Sequence, residues 1–179
     1  KIRDKGDVKP GKMFTYSMEG RIHAVIGLPW IARRLGRADP QVASALRRLA
    51  RDPNQAVRLN LVRQIQALGK IAPTLMWQLF DLLSRPEARS AVLGETAAAL
   101  GRWWDSHPAK VRARLLAIER KLGKFDPEDT VHQVVATVHL HNYVRQGHPD
   151  SEAYLQNLIQ RCEAPAAASS LRPLQHDCR

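Results

Sequence analysis

The side chains best suited to metal chemistry are concentrated towards the C-terminal end of the chain. Four histidines occur there: His132, His139, His141 and His148. The other candidate ligands lie further along: Cys162, His176 and Cys178. Zinc or copper needs imidazole nitrogens that converge at about 2.0 to 2.1 Å from the ion. On one helix His139 and His141 point roughly 200° apart, so we predict neither a metal site nor a bound cofactor.

Motifs for independent catalysis are missing from the sequence. It contains no Gly-Lys-Ser/Thr phosphate loop, no Gly-x-Ser-x-Gly nucleophile elbow and no His-Glu-x-x-His zinc motif. We therefore predict a binding module rather than an enzyme.

Basic residues are the remaining functional candidates. The net charge is +11, and residues 30–124 hold 18 of the 28 Lys and Arg but only 7 of the 17 Asp and Glu. Eleven arginines near expected helix ends form the predicted partner-binding set: Arg33, Arg34, Arg37, Arg47, Arg48, Arg51, Arg85, Arg89, Arg102, Arg112 and Arg114. If the arginines are aligned on one surface, they would attract an acidic protein, which is our leading prediction. The alternative partner is a nucleic-acid backbone. Scattered, they would form only a solvated face. Few aromatic residues lie among them, which argues against stacking on single-stranded bases.

A repeat of about 33 residues positions these arginines. Each unit has a Leu-Gly-basic triplet followed by a proline: Leu35-Gly36-Arg37 with Pro40, Leu68-Gly69-Lys70 with Pro73, and Leu100-Gly101-Arg102 with Pro108. Apolar residues recur at helical spacing between these breaks, as Val42, Leu46 and Leu49 do after Pro40. A period of this length is typical of helical solenoids, in which each unit buries its apolar face against its neighbours.

The pattern predicts pairs of helices separated by Pro and Gly. The expected helices cover residues 17–36, 40–52, 54–69, 73–85, 88–103, 108–122, 128–145 and 149–162. Pro29 should kink or split the first helix. A hairpin that pairs Met13–Met18 with Arg21–Ile26 is the competing interpretation of that segment, and the Val-rich seventh segment also has strand propensity.

The second unit resembles a HEAT repeat. It has an Asp-Pro before its second helix and a Val-Arg pair inside it, at Asp52, Pro53, Val57 and Arg58. The resemblance covers about residues 19–162, and armadillo-like or other helical-hairpin repeats remain alternatives. It implies an all-α, right-handed stack of antiparallel helix pairs whose surface binds an extended partner. It also implies that Asp52 and Arg58 belong to a ladder of hydrogen bonds between successive units.

Trp103-Trp104-Asp105 is similar to a run in HEAT-like DNA glycosylases that remove alkylated bases. That resemblance implies tryptophans that stack on the lesion and a carboxylate that stabilises positive charge on the sugar. Here, however, the run follows a helix end and lacks a second aspartate three residues later. We favour a structural interpretation, in which the tryptophans fill the wedge made by a two-residue insertion and Asp105 caps the helix that begins near Pro108.

The domain prediction has three parts: a flexible lead-in over residues 1–16, a HEAT-like domain over 17–162, and a disordered tail over 163–179. The chain starts at Lys1, within a unit, so we expect it to be a segment of a larger parent protein. With only two cysteines and no run of about 18 apolar residues, a cytoplasmic location without membrane contact is expected.

Overall fold

The computed structural model describes the backbone of residues 18–85, 90–123, 126 and 128–169, and the side chains of those between 19 and 162. These ranges are all-α and contain no strand. Eight helices occur in them: α1 Met18–Leu35, α2 Pro40–Leu49, α3 Gln55–Gln64, α4 Pro73–Leu83, α5 Ser90–Gly101, α6 Pro108–Leu122, α7 Thr130–Gln146 and α8 Pro149–Ser169. A short 3-10 helix, Ile65–Leu68, follows α3 directly.

Local capping explains where several helices begin and end. The side chains of Asp39, Asn54 and Asp129 each accept a hydrogen bond from the backbone N–H two residues on, at 2.8, 2.8 and 2.6 Å. A proline occupies the first turn of α2, α4, α6 and α8. The lack of an N–H costs little there, because an N–H in the first turn would have no acceptor within the helix. Gly36 and Gly147 follow α1 and α7 with positive φ values of 66° and 58°. The predicted starts at Pro40, Pro73, Pro108 and Pro149 are confirmed.

The first and seventh segments resolve two ambiguities in the sequence. Residues 21–26 lie inside α1, so the hairpin alternative is wrong. Pro29 is buried within the same helix, which continues through it to Leu35. The Val-rich segment forms α7, because its valines pack at helical spacing against the neighbouring helices and this burial outweighs their strand propensity.

Helices α1, α3, α5 and α7 form what we call the first row, in which neighbours are parallel. Arg21 near the start of α1 reaches Asp52 just before α3, and Trp30 near the end of α1 donates to Gln64 at the end of α3. Further along, Arg63 pairs with Glu95 of α5 at 3.3 Å. In the same way Gly94 and Gly101 of α5 face Val131 and Val138 of α7.

The second row contains α2, α4, α6 and α8. Side chains again join equivalent helices: Arg47 to Gln78 at 2.9 Å, Arg114 to Asp81 at 2.8 Å, and Arg112 to Asp150 at 2.9 Å. The apolar core separates the two rows. Its largest fully buried side chains include Leu46, Leu61, Leu79, Phe80, Leu100, Trp104, Leu115 and Ile118.

The largest departures from the predicted boundaries are at the ends of two helices. The segment after Asn54 is an α-helix only to Gln64 and then tightens into the 3-10 helix. The tail was expected from residue 163, but α8 continues to Ser169. Residues 1–17, which include the predicted lead-in, and 170–179 lie outside the described ranges. No helix within those ranges is both long and apolar enough to span a bilayer.

Candidate partner-binding surface

Short connections make successive helices antiparallel, so the C-terminal ends of the two rows lie at opposite edges of the molecule. The edge at the C-terminal ends of the first row, which we call the first-row edge, carries six basic residues: Arg33, Arg34, Arg37, Lys70, Arg102 and Arg145. All six are exposed. Arg33 lies over the ring of Trp30, at 5.0 Å from its centroid.

The eleven arginines predicted to bind a partner do not form one stripe. Four lie on the first-row edge and four at the opposite edge, at the C-terminal ends of α2 and α4: Arg47, Arg48, Arg51 and Arg85. Arg112 and Arg114 lie on α6 and pair with Asp150 and Asp81. The separation arises because antiparallel helices alternate the edge at which a C-terminal arginine emerges. Arg89 lies outside the described ranges.

The first row contains a trough along α5. Two cavities of about 620 and 510 Å³ meet at Ala98 and Val134, which line both. The smaller cavity has Leu59 and Arg63 of α3 on one side and Val131 of α7 on the other. The larger one continues between α5 and α7 to the first-row edge. We call this surface, from Ser90 to Asp105 of the α5 segment, the α5 trough.

Small residues on α5 make the trough. Ala91 and Ala98 line its floor and project little from the helix. On the side of α5 that faces α7, a Cβ atom added at Gly101 would lie 3.1 Å from both methyl carbons of Val138. The glycine therefore permits the close approach of α5 and α7. With large side chains at these positions, the trough would be filled.

Charged groups are distributed unevenly along the trough. At the end near the start of α5, Arg63 and Glu95 neutralise each other at 3.3 Å. At the first-row edge, Arg102 and Arg145 line the cavity, and neither has a carboxylate partner among the described residues. Asp105 is also there, and its carboxylate accepts a hydrogen bond from Gln146. This end of the trough therefore has two cations and one anion.

The tryptophans next to Asp105 point into the protein and do not line the trough. Trp104 is fully buried, and its ring meets those of His139 and His148 at centroid distances of 5.4 and 5.6 Å. Trp103 stacks on His107 at 6.2 Å. A base held beside Asp105 would therefore find no tryptophan face to stack on. The predicted cap by Asp105 is wrong, because His107 is the N-cap of α6 and makes no side-chain capping bond.

The four histidines singled out in the sequence do not all face one site. His139 is buried, with its Nε2 atom 3.3 Å from an oxygen of Glu119 and its ring stacked on Tyr154 at 4.0 Å. Burial, with a smaller contribution from the negative charge of Glu119, raises the pKa of Tyr154 to about 12. His141 lies in the trough instead. Among the described residues, no three His, Cys, Asp or Glu side chains are placed to share a metal ion.

Asp52, one of the two residues expected in a ladder between successive units, is paired with Arg21 of α1. Both carboxylate oxygens of Asp52 accept hydrogen bonds from Arg21, at 2.9 and 2.8 Å, and one also accepts from the backbone N–H of Asn54 at 2.8 Å. Asp52 therefore does link successive units, but through the preceding helix. The buried Nε of Arg58 has no hydrogen-bond partner among the described residues.

Two features of this surface were missed in the sequence. Arg145 and Lys70 were not counted among the partner-binding residues, although each follows the same rule as Arg102: a basic residue at or just beyond the end of every second helix. The trough floor was visible only as an Ala-rich helix.

Comparisons of this chain with protein-family models, curated protein sequences and solved structures give no match.

Proposed function

We propose that this chain is a segment of a HEAT-like α-solenoid within a larger protein, and that it is a non-catalytic recognition module for a protein partner with an acidic surface. The parallel rows support the solenoid. In each row, side-chain bonds join positions about one repeat apart, as in Arg63 with Glu95 and Arg114 with Asp81. Such units brace one another, so the surface is formed before a partner arrives and little ordering is needed on binding.

The observation that carries the binding proposal is that some arginines have carboxylate partners and others do not. Arg112 and Arg114 of α6 have carboxylate partners from neighbouring helices. Arg102 and Arg145 stand at the open end of a cavity without such a partner among the described residues. An acidic segment that enters the trough supplies the missing carboxylates. Charge-assisted hydrogen bonds of arginine to carboxylate are among the stronger polar contacts that a partner can make.

Nucleic acid is the alternative partner, favoured by the net charge of +11. The trough argues against a nucleic acid, because the imidazole of His141 is the only ring among the described residues that line either cavity, so bases have few rings to stack on there. We also propose a cytoplasmic location, for which the low cysteine content is the support.

The test compares two polyanions on the same protein. Fluorescence anisotropy would measure binding of a labelled glutamate-rich peptide of about 16 residues and of a labelled 16-bp DNA duplex, each at about 0.15 M salt. We expect saturable peptide binding that is weakened at least tenfold by Arg102→Ser with Arg145→Ser. Tighter binding of the duplex, regardless of its sequence, would favour the nucleic-acid alternative. Peptide binding that ignores both substitutions would contradict the proposed surface.

A further inference from the structure

Large apolar side chains that are exposed to solvent are concentrated on the helices at the two ends of the rows. Nine such side chains occur among the described residues, and Leu116 of α6 is the one that lies elsewhere. The other eight are on α1, α7 and α8: Ile26, Trp30, Ile31, Leu35, Leu140, Tyr143, Val144 and Ile159. A terminal repeat that stays in water needs a polar outer face. The outer helices of the described stack expose apolar side chains instead.

Part of the exposed surface of α1 is the surface that a preceding first-row helix would cover. Leu35 is 60% exposed, whereas Leu68, at the same place in the next repeat, is fully buried in the 3-10 helix that packs against α1. Ile31 stands four residues before Leu35, as Gln64 does before Leu68, and Gln64 faces back to accept a hydrogen bond from Trp30 of α1. Ile31 and Leu35 therefore form the backward-facing half of a contact between first-row helices.

The exposed surface of α7 faces the other way along the first row. Val138 packs towards Gly101 of α5. At about 100° per residue, Leu140 and Val144 lie about 200° and 240° around the helix from Val138, so both face away from α5. Val144 is 73% exposed. These side chains form the forward-facing half of a contact between first-row helices.

The order of the helices makes the two surfaces complementary. The described helices alternate between the rows, from α1 in the first row to α8 in the second. A second copy that places its α1 against α7 continues this alternation after α8, and its α2 then stands next to α8. Ile159 lies about 140° around α8 from Tyr154, which lines a cavity shared with α6, so Ile159 is on the side towards that copy. The packing that joins the repeats within one chain therefore also serves between two chains.

We propose that this chain associates head to tail with a second copy of itself, with α1 of one copy packed against α7 and α8 of the other. The proposal goes beyond the proposed function, because it does not use the α5 trough or an acidic partner. Burial of the exposed apolar side chains drives the association. Since the two contacting surfaces differ, each copy in a pair keeps one free surface, and association continues beyond the dimer.

Sedimentation velocity of the purified chain over a range of concentrations tests the proposal. We expect the average mass to rise with concentration. Ile31→Glu places a charge on the α1 surface and Val144→Glu places one on the α7 surface, and each variant alone should sediment as a single chain. An equal mixture of the two should form a dimer and nothing larger, because the intact α7 surface of the first variant binds the intact α1 surface of the second. Leu116→Glu, on the exposed side of α6, is the matched control and should associate like the original chain.

Circular dichroism checks that each variant keeps its helix content. Leu35→Glu and Leu140→Glu, on the same two surfaces, replace the first pair if either of those variants loses it. A chain that stays monomeric at every concentration would overturn the proposal and leave the acidic-partner function standing. A mixture that fails to dimerise, or association that only one variant abolishes, would mean that like surfaces meet and would also overturn it. Association weakened as strongly by Leu116→Glu would place the contact away from the ends and contradict it as well.

Discussion

Arginines that face a neighbouring helix and arginines on the first-row edge have different surroundings in this protein, although they are alike in sequence. On α6, Arg114 is largely covered, contacts Asp81 at 2.8 Å and lies 4.8 Å from the ring centroid of Trp77. On the first-row edge, Arg102 is exposed beside a cavity. Removal of Arg114 leaves the carboxylate of Asp81 without its arginine, although Lys110 still lies 5.6 Å from the ring centroid of Trp77. Removal of Arg102 takes a bonding partner from no described residue. The comparison teaches that basic residues divide into those that join helix pairs and those that face outwards.

The comparison fails if residues at the joints, by which we mean side-chain contacts that hold one helix against another, can be changed without loss of stability. The largest effect is expected at Gly69, since a Cβ atom there would overlap the ring of Trp103, which also contacts Trp77 and His107. Gly69→Ala should lower the free energy of unfolding by about 2–3 kcal/mol through overpacking. Gly27→Ala is the control, because no atom lies within 4 Å of its added Cβ. It should be neutral or stabilise by up to about 1 kcal/mol, from helix propensity. Urea denaturation measures both, and equal values would contradict the overlap.

A second joint is the pair between Arg21 and Asp52. Asp52→Asn keeps the size of the side chain but removes the charge from a carboxylate that is only 7% exposed. We expect a loss of about 1–2 kcal/mol, below the value for a fully buried pair because Arg21 is 24% exposed. Asp39→Asn is the matched control, since asparagine caps a helix about as well as aspartate. If the two substitutions have the same effect on the urea midpoint, Asp52 supports only the local turn before α3, through the N–H of Asn54, and does not join the units.

A structural feature of this protein could be predicted from the sequence when the residues that determine it are close together along the chain. Helix starts at Pro40, Pro73 and Pro108 depend on a few neighbouring residues, so they could be predicted from sequence. The partner of Asp52 could not be predicted, because Arg21 lies 31 residues earlier in the chain and only the packing of α1 against α3 brings the two side chains together. The α5 trough was equally hidden, since alanines on α5 make a cavity only when larger side chains of α3 and α7 flank them.

A smaller, pH-dependent effect is expected at the joint between α7 and α8. The pKa of Tyr154 is about 12 in the folded protein against 10.0 for the free side chain. Between these values the unfolded chain loses its proton while the folded one keeps it, so stability is complete below about pH 10 and falls as the pH rises towards 12. Tyr154→Phe should make the alkaline loss of stability shallower. Tyr143→Phe, at an exposed position, should not. Identical alkaline profiles for the two variants, followed by circular dichroism, would exclude a joint at Tyr154.

The central claim is that the contacts available to an arginine at its place in the fold, rather than its charge, decide what it does. Its most direct test measures unfolding free energy and acidic-peptide binding in two double variants with the same loss of charge. Arg102→Ser with Arg145→Ser should change stability by less than about 0.5 kcal/mol and weaken the peptide at least tenfold. Arg112→Ser with Arg114→Ser should lower stability by about 1 kcal/mol and weaken the peptide less than threefold. Equal losses of binding in the two variants would mean that only net charge matters, and would contradict the account.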